Sequence, residues 1–114
     1  MASSSAGTVV LIPFPFLDLT NSKLRPAVAL AGAGRGDWVM CQITSKPYAD
    51  DSAVEIKDDD FESGSLRVTS YARPGKLFTA NESLIASEVG KLKKEALEKI
   101  VVAVVKLIQS GLQQ

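Results

Sequence analysis

The chain has 114 residues, of which 46% are hydrophobic and 23% charged, and its 13 basic residues balance 13 acidic ones. This length and composition predict one soluble globular domain over residues 1–114, and the zero net charge argues against a partner held by bulk electrostatics alone. The sequence contains no histidine, which excludes a Ser-His-Asp triad, a Cys-His pair and a histidine-ligated metal. Any chemistry must therefore use Arg, Lys, Asp, Glu, Ser, Thr or Tyr, and we expect no metal and no cofactor.

The only thiol belongs to Cys41, which excludes an internal disulfide and a cysteine metal cluster and fits a reducing cytoplasm. The start of the chain lacks both a basic segment and a long apolar stretch, so we expect neither a signal peptide nor a membrane anchor. We expect residues 1–6 to form a disordered tail and the protein to be cytoplasmic.

The first two-thirds of the chain has the pattern of short strands separated by turn-forming residues. The first apolar run ends at two prolines, and the second is closed by a glycine-rich loop over residues 32–37. The predicted strands are Thr8–Phe14, Pro26–Ala31, Trp38–Thr44, Val54–Ile56, Leu66–Val68 and Lys76–Thr79.

The apolar residues change their period after Leu92. A helix that ends at Gly111 is predicted by the helical spacing of Leu97, Ile100, Val101, Val104, Leu107 and Ile108. Further apolar residues widen this face, and two interpretations stay open: a well-covered core helix, or a helix that packs partly on a second subunit. Short strands followed by one helix predict a mainly β fold with α, either a small partly open β-barrel or an α+β domain.

Side-chain alternation places Arg25 and Thr44 on the mixed faces of the second and third strands. If the glycine-rich loop joins these strands as a hairpin that pairs Ala31 with Trp38, Arg25 lies directly opposite Thr44. A guanidinium beside a hydroxyl at the loop end of a sheet is suited to an oxyanion or phosphate, because arginine offers a planar fork of donors. We therefore hypothesise a phosphate site at Arg25 and Thr44, although each residue alone is more often an ordinary surface or strand residue.

Other basic and polar residues adjoin this hypothetical site. They are Lys23, Ser45 and Lys46 at the loop ends, and a second basic and aromatic stretch of Tyr71, Arg73 and Lys76. Cys41 shares the apolar face of its strand with Val39 and Ile43, so we expect a buried, inert thiol.

Several short motifs follow one another over nearly the whole chain. They are Gly7-Thr-Val-Val-Leu-Ile-Pro-Phe14, Leu24-Arg-Pro-Ala-Val-Ala-Leu30, Cys41-Gln-Ile-Thr-Ser45, Asp60-Phe61 with Gly64-Ser-Leu66, Ser70-Tyr-Ala-Arg-Pro-Gly-Lys-Leu-Phe78 and Val89-Gly-Lys-Leu92. With these motifs in this order, the chain resembles the MazF/PemK/Kid family of toxins from bacterial type II toxin–antitoxin systems. Each motif is weak alone, and the combination is fairly specific.

The resemblance implies an SH3-like, partly open β-barrel of the CcdB/Kid/MazF type with a C-terminal helix, assembled as a homodimer. It also implies a metal-independent endoribonuclease that cleaves single-stranded messenger RNA at short sequences. The expected partner is a cognate antitoxin, with DNA reached only indirectly through that antitoxin. The catalytic arginine and threonine of the family correspond to Arg25 and Thr44. We expect RNA to be bound by Lys23, Ser45, Lys46, Arg67, Arg73 and Lys76.

The chain departs from the family pattern at two positions. Thr8 stands where the family usually has an acidic residue after the first glycine. The nearest counterpart of the family's Arg-x-Asp motif is Arg67-Val-Thr69, which lacks the carboxylate. Asp18 is a candidate general base, with a solvated turn residue as the more ordinary interpretation. We expect the loop from Phe14 to Leu24 to help shape base specificity. The alternative function is a non-catalytic or degenerate toxin of the same fold that binds a protein target, as gyrase poisons do.

The zero net charge hides an uneven distribution. Residues 50–62 contain seven acidic residues and a single lysine, so the rest of the chain carries a net positive charge. This distribution predicts a confined basic groove beside an acidic surface, which is compatible with RNA binding.

Overall fold

The strands of the described residues form one seven-stranded antiparallel sheet. The computed structural model describes residues 5–14, 23–47 and 49–114. The strands are β1 (Thr8–Pro13), β2 (Leu24–Gly34), β3 (Asp37–Thr44), β4 (Val54–Ile56), β5 (Phe61–Gly64), β6 (Ser70–Asn81) and β7 (Ser87–Leu92). Helix α1 (Lys94–Ser110) follows, and short 3₁₀ turns lie at Asp58–Asp60, Glu82–Leu84 and Gly111–Gln113.

The sheet is curled and open at two short strands. The strand order is β4-β6-β3-β2-β1-β7-β5, so β4 and β5 form the two edges. The pairing register shifts within four of the strand pairs, β1–β7, β2–β3, β3–β6 and β5–β7. Such irregularities increase the local twist and bend a sheet on itself. The predicted mainly β, partly open barrel with a C-terminal helix is therefore confirmed.

Alternate residues of β1 serve two different hydrophobic clusters. Val9 belongs to a cluster that includes Ala96 and Ile100 of α1. Val10 and Ile12 point to the opposite face, where the buried residues all come from the strands and their ends. Because successive strand side chains alternate between faces, one apolar strand supports both cores. Helix α1 packs against β6 and β4, which covers one side of the curled sheet.

Two strand predictions differ from the structure. The segment Leu66–Val68 is a loop between β5 and β6, because Arg67 has a positive φ of 68° and cannot continue an extended strand. The real fifth strand lies earlier, at Phe61–Gly64, and Lys76–Thr79 is only part of the second half of the much longer β6. Strand β7, at Ser87–Leu92, was not predicted, since it has few apolar residues and sits beside an edge strand.

The hairpin between β2 and β3 is tighter than predicted. Its strands extend to Gly34 and Asp37, which leaves a two-residue turn in place of the predicted six-residue loop. The predicted pairing of Ala31 with Trp38 is wrong: Ala31 lies opposite Val39, and irregularities shift the register near the turn. Closer to the other end, Ala27 lies opposite Gln42. Both register shifts lie between this pair and the turn. If the register of Ala27 and Gln42 continues for two more residues, Arg25 lies opposite Thr44, as predicted.

Helix α1 ends where the sequence predicts and is only partly covered. Gly111 follows its last residue, but with a right-handed φ of −64° that continues into a 3₁₀ turn. Ala96, Ile100 and Val104 are buried. The other face stays exposed in the single chain, through Val101, Val102, Val105, Leu107 and Ile108. Within the described residues, no helix has the length and apolar character that crossing a membrane requires.

Candidate active site

A cavity of about 290 Å³ lies where β1, β2 and β3 meet the loop before β6. Its lining combines one guanidinium, several hydroxyl groups and an apolar floor. The lining residues are Leu11, Arg25, Pro26, Ile43, Thr44, Ser45, Leu66, Val68 and Ser70. The two residues of the hypothesised phosphate site, Arg25 and Thr44, are therefore brought to one cavity.

The strand ladder explains why Arg25 and Thr44 meet. Arg25 lies near the start of β2 and pairs with Ile12 of β1. Thr44 is the last residue of β3 and pairs with Tyr71 of β6. The start of β2 and the end of β3 lie at the same edge of an antiparallel hairpin, which brings the two side chains together. Both are accessible: Arg25 is exposed and Thr44 is half-buried.

The hydroxyl of Thr44 is held by the turn that follows it. Oγ1 accepts a hydrogen bond from the backbone N–H of Lys46 at 3.1 Å and donates to the carbonyl of Lys46 at 3.2 Å. The first bond fixes the position of the oxygen, whereas the hydroxyl proton can rotate about the side-chain bond. Thr44 is thus a pre-positioned hydroxyl whose proton can turn to a bound anion.

An apolar wall formed by Leu66 and Val68 closes one side of the cavity. Val68 is 58% exposed even though it is a large hydrophobic residue. The loop that carries it is fixed at both ends: Ser70 Oγ donates to the Val68 carbonyl at 3.1 Å, and Ser65 Oγ accepts from the N–H of Arg67 at 2.7 Å. Ser65 also donates to Asp58 at 2.6 Å. The sequence does not predict this wall, because the spacing of Leu66 and Val68 favours a strand.

The predicted RNA-binding residues divide into two groups. Ser45 lines the cavity. Lys23, Lys46 and Arg67 are exposed, and each lies within two positions along the chain of a residue that lines it. Arg73 and Lys76 lie along β6 and line none of it.

Arg73 is engaged in an ion pair. Its Nε donates to Asp50 Oδ2 at 2.7 Å, and both side chains are largely buried. This hydrogen bond holds the pKa of the Asp50 carboxyl below its usual value. Asp50, an acidic residue of the 50–62 segment, is thereby neutralised by Arg73, which the sequence analysis predicted to bind RNA.

Cys41 is fully buried, as predicted. Its Sγ donates to the carbonyl of Arg73 at 3.1 Å. Burial raises the pKa of the thiol to about 12, so that the reactive thiolate is scarce at neutral pH.

The two departures from the family pattern lie in different places. Thr8 is buried at the start of β1, where its Oγ1 accepts from the N–H of Ser5 at 3.3 Å. It lines a larger cavity of about 410 Å³ with Lys91, which contains neither Arg25 nor Thr44. Thr69 is exposed in the loop beside the apolar wall. Asp18, with most of its predicted specificity loop, lies outside the described residues.

The donor set around this cavity is one of hydroxyls and cations. In residues 5–14, 23–47 and 49–114, no group of three or more Cys, Asp or Glu side chains is placed to hold a metal ion. The arrangement suits a substrate that brings its own negative charge.

Comparison with known proteins settles the family. The model of the PemK-like, MazF-like toxins of type II toxin–antitoxin systems matches residues 5–108. The chain belongs to this family. No curated protein sequence matches the toxin.

Solved structures show that the toxin has the MazF fold. It is similar to MazF of Deinococcus radiodurans, with a TM-score of 0.74, 18% identity and coverage of 96% of this chain and 99% of that one. It is also similar to a mycobacterial endoribonuclease solved with its cognate antitoxin, with a TM-score of 0.71, 14% identity and 96% of each chain covered. A third likeness is to the Mycobacterium tuberculosis toxin MazF-mt6, with a TM-score of 0.69, 13% identity and coverage of 90% and 96%.

Proposed function

We propose that the toxin is a metal-independent endoribonuclease that cleaves single-stranded RNA at the cavity containing Arg25 and Thr44. The observation that carries the proposal is the meeting of these two side chains in one cavity of a MazF-fold toxin. The similarity to structures of MazF and of endoribonucleases favours this function over a non-catalytic toxin that binds a protein target.

RNA supplies its own nucleophile for this reaction. The 2′-oxygen attacks the adjacent phosphorus, the bond from phosphorus to the 5′-oxygen breaks, and the products are a 2′,3′-cyclic phosphate and a 5′-hydroxyl. The proton lost by the 2′-hydroxyl is balanced by the proton that the leaving oxygen gains, so no water is consumed. The protein needs to align the nucleotides and stabilise the charge of the phosphorane.

Arg25 and Thr44 divide these tasks. The guanidinium of Arg25 donates to the phosphate oxygens and stabilises the charge that develops on them. The Thr44 hydroxyl, with its oxygen fixed by the Lys46 N–H, turns its proton from the Lys46 carbonyl to a phosphate oxygen. The exposed cations Lys23, Lys46 and Arg67 bind flanking phosphates and align the strand.

The cleavage assay uses purified toxin, a long single-stranded RNA and an excess of EDTA. We expect discrete fragments with cyclic phosphate and 5′-hydroxyl ends, identified by mass spectrometry. The matched control is an RNA with a 2′-O-methyl group at a mapped cleavage site, which lacks the nucleophile and should stay intact there. Absence of cleavage in a varied set of RNAs would contradict the proposal, and so would cleavage of the methylated site.

We further propose that the toxin forms a homodimer through the exposed apolar face of α1. Ile108 is 62% exposed and shares this face with Val105 and Val101. A contiguous exposed apolar surface of this kind is typical of an interface. Substitution of Ile108 by Glu should halve the mass measured by light scattering, whereas Leu84→Glu, at a similarly exposed position outside α1, should leave it unchanged. An unchanged mass of the Ile108 variant contradicts this interface.

The proposed protein partner is a cognate antitoxin. Toxins of this family belong to two-component systems, and similar structures include an endoribonuclease and a MazF solved with their antitoxins. We propose that the antitoxin covers the cavity with Arg25 and Thr44 and thereby blocks RNA. The antitoxin should inhibit cleavage and lose affinity for an Arg25→Glu variant; unchanged affinity contradicts this placement.

A further inference from the structure

A short, shielded ion pair joins Arg73 of β6 to Asp50 in the loop that follows β3. Arg73 Nε and Asp50 Oδ2 are 2.7 Å apart, and the side chains are only 25% and 15% exposed. By comparison, the ion pair of Lys57 with Glu55 is 3.6 Å long, and both of its side chains are about half exposed or more. Short, shielded ion pairs hold their geometry better than exposed ones, which solvent and salt weaken.

Asp50 also organises the loop that follows Thr44, here called the site loop (described residues 45–47 and 49–53). Its N–H donates to the carbonyl of Pro47 at 3.1 Å. Its Oδ1 accepts from the N–H of Ser52 at 3.0 Å, and its carbonyl accepts from Ala53 at 3.2 Å. Asp50 therefore joins both halves of the site loop through its backbone and its carboxylate.

Arg73 provides a fixed anchor for Asp50. Its neighbour Ala72 pairs with Ile43 of β3, and its own carbonyl accepts from the buried Cys41 thiol at 3.1 Å. The backbone of Arg73 is thus tied to the strand that ends at Thr44. The ion pair closes a ring that runs from β3 through the site loop to Asp50, across to Arg73, and back to β3.

We propose that the Asp50–Arg73 ion pair is a tether that positions the Thr44–Lys46 turn for cleavage, and that Arg73 is a positioning residue and makes no contact with RNA. This proposal rests on the proposed ribonuclease function. It replaces the prediction from sequence that Arg73 binds RNA.

Substitution of Asp50 by Asn separates the two roles by the sign of its effect. If Arg73 contacts a phosphate, loss of the carboxylate frees its guanidinium and removes a negative charge, so RNA cleavage rises. If the pair is a tether, cleavage falls, by roughly 10- to 100-fold in kcat if the catalytic groups are misplaced by about an ångström. Asp51→Asn is the matched control, because it removes the same charge from the exposed neighbouring position. We expect Asp51→Asn to leave kcat unchanged.

Arg73→Gln tests the tether from its other end. We expect a fall in kcat close to that of Asp50→Asn, and a double variant that is no worse than the poorer single variant, since either change removes the same ion pair. Arg73→Lys keeps a charge able to reach Asp50 and should recover part of the activity. The proposal is overturned if the fall in kcat of the double variant equals the product of the two single falls. Increased cleavage by Asp50→Asn overturns it as well.

Salt dependence of binding distinguishes a tether from a phosphate contact. With a non-cleavable 2′-O-methyl RNA, loss of one phosphate contact lowers the slope of log affinity against log salt by about 0.7. We expect Arg73→Gln to keep the wild-type slope and Lys46→Gln to reduce it. A reduced slope for Arg73→Gln assigns Arg73 to RNA and overturns the proposal.

Hydrogen exchange tests the tether apart from catalysis. The N–H groups of Ser52 and Ala53 bond to Asp50 and should exchange faster in Arg73→Gln than in the wild type. Unchanged exchange contradicts the tether whether or not the toxin cleaves RNA. If the wild type cleaves no RNA while exchange responds as expected, the ribonuclease proposal fails and the structural tether stands.

Discussion

Arg25 of β2 and Thr44 of β3 reach the same cavity from adjacent strands, and the Thr44 oxygen is already fixed by the N–H of Lys46 at 3.1 Å. One group supplies a permanent positive charge and the other a rotatable proton. The pair can therefore recognise a phosphate without imidazole or metal. This arrangement gives a physical reason why a chain without histidine can carry out phosphodiester chemistry.

The Thr44 hydroxyl should be needed both for the turn and for the reaction. Thr44→Ser keeps the oxygen and its proton, so we expect cleavage within a few-fold of the wild type. Thr44→Val keeps the shape but removes both, and a lost transition-state donor costs about 10²- to 10³-fold in kcat. Single-turnover cleavage of a short RNA measures both variants. A Val variant as active as the Ser variant would show that the hydroxyl takes no part.

The exposed apolar wall should act on substrate binding rather than on the chemical step. Val68 lines the cavity beside Arg25 and is free to pack against a base or ribose. We expect Val68→Asn to raise KM roughly tenfold with kcat unchanged, since burying such a side chain is worth about 1.5 kcal/mol. Leu84→Asn is the control, at an exposed apolar position outside this cavity. Equal KM values for the two variants would exclude a role for the wall.

How far the sequence predicts this site can be judged from particular residues. Arg25 and Thr44 could be placed on the mixed faces of their strands because side-chain alternation follows apolar burial. Their pairing was predicted from an Ala31–Trp38 register that is wrong, yet the inner register, with Ala27 opposite Gln42, still brings them to one cavity. The turn-side register could not be predicted, since the irregularities near Ala31 and Gly32 depend on how the sheet twists against its neighbours. The role of Arg73 was also hidden, because its partner Asp50 lies 23 positions away and is reached only through the fold.

Segments with weak apolar patterns were the other source of error. Strand β7 has little apolar character of its own and forms because β1 offers it a partner edge. Arg67, in contrast, lies in an apolar and polar alternation that favours a strand, yet its positive φ and the Ser65 hydrogen bond impose a loop. Tertiary contacts outweigh local propensity at both places.

The Asp50 carboxylate should stabilise the fold in a pH-dependent way. Its pKa is held below the ordinary value of 3.8 by the hydrogen bond from Arg73, so the folded state favours the charged form. The stabilisation is complete above the unfolded-state pKa and is lost as the pH falls through the lowered folded-state pKa. The difference in unfolding free energy between wild type and Asp50→Asn should therefore be constant near neutral pH and vanish in acid.

Urea unfolding at a series of pH values measures this difference. Asp51→Asn serves as the control and should change the unfolding free energy little at neutral pH, because Asp51 is exposed and outside the described ion pairs. A variant of Asp50 that is as stable as the wild type at neutral pH would refute the stabilising role.

Cys41 should report on unfolding. With its pKa raised to about 12 by burial, the native thiol should react with a disulfide reagent at pH 8 far more slowly than an exposed cysteine. In denaturant, the same thiol should react at once. Because the thiol donates to the Arg73 carbonyl, its rate in the native protein also tests how firmly β3 and β6 are joined. Fast reaction of the native protein would contradict the buried environment.

The central claim is tested most directly by comparing Arg25→Ala with Arg35→Ala in the RNA cleavage assay with EDTA. Arg35 is another exposed arginine of the same hairpin, located at its turn and absent from the cavity lining. Loss of the group that stabilises the phosphorane should lower the cleavage rate by at least about 10²-fold in Arg25→Ala, with Arg35→Ala close to the wild type. Cleavage by Arg25→Ala at the wild-type rate would contradict the assignment of this cavity as the active site.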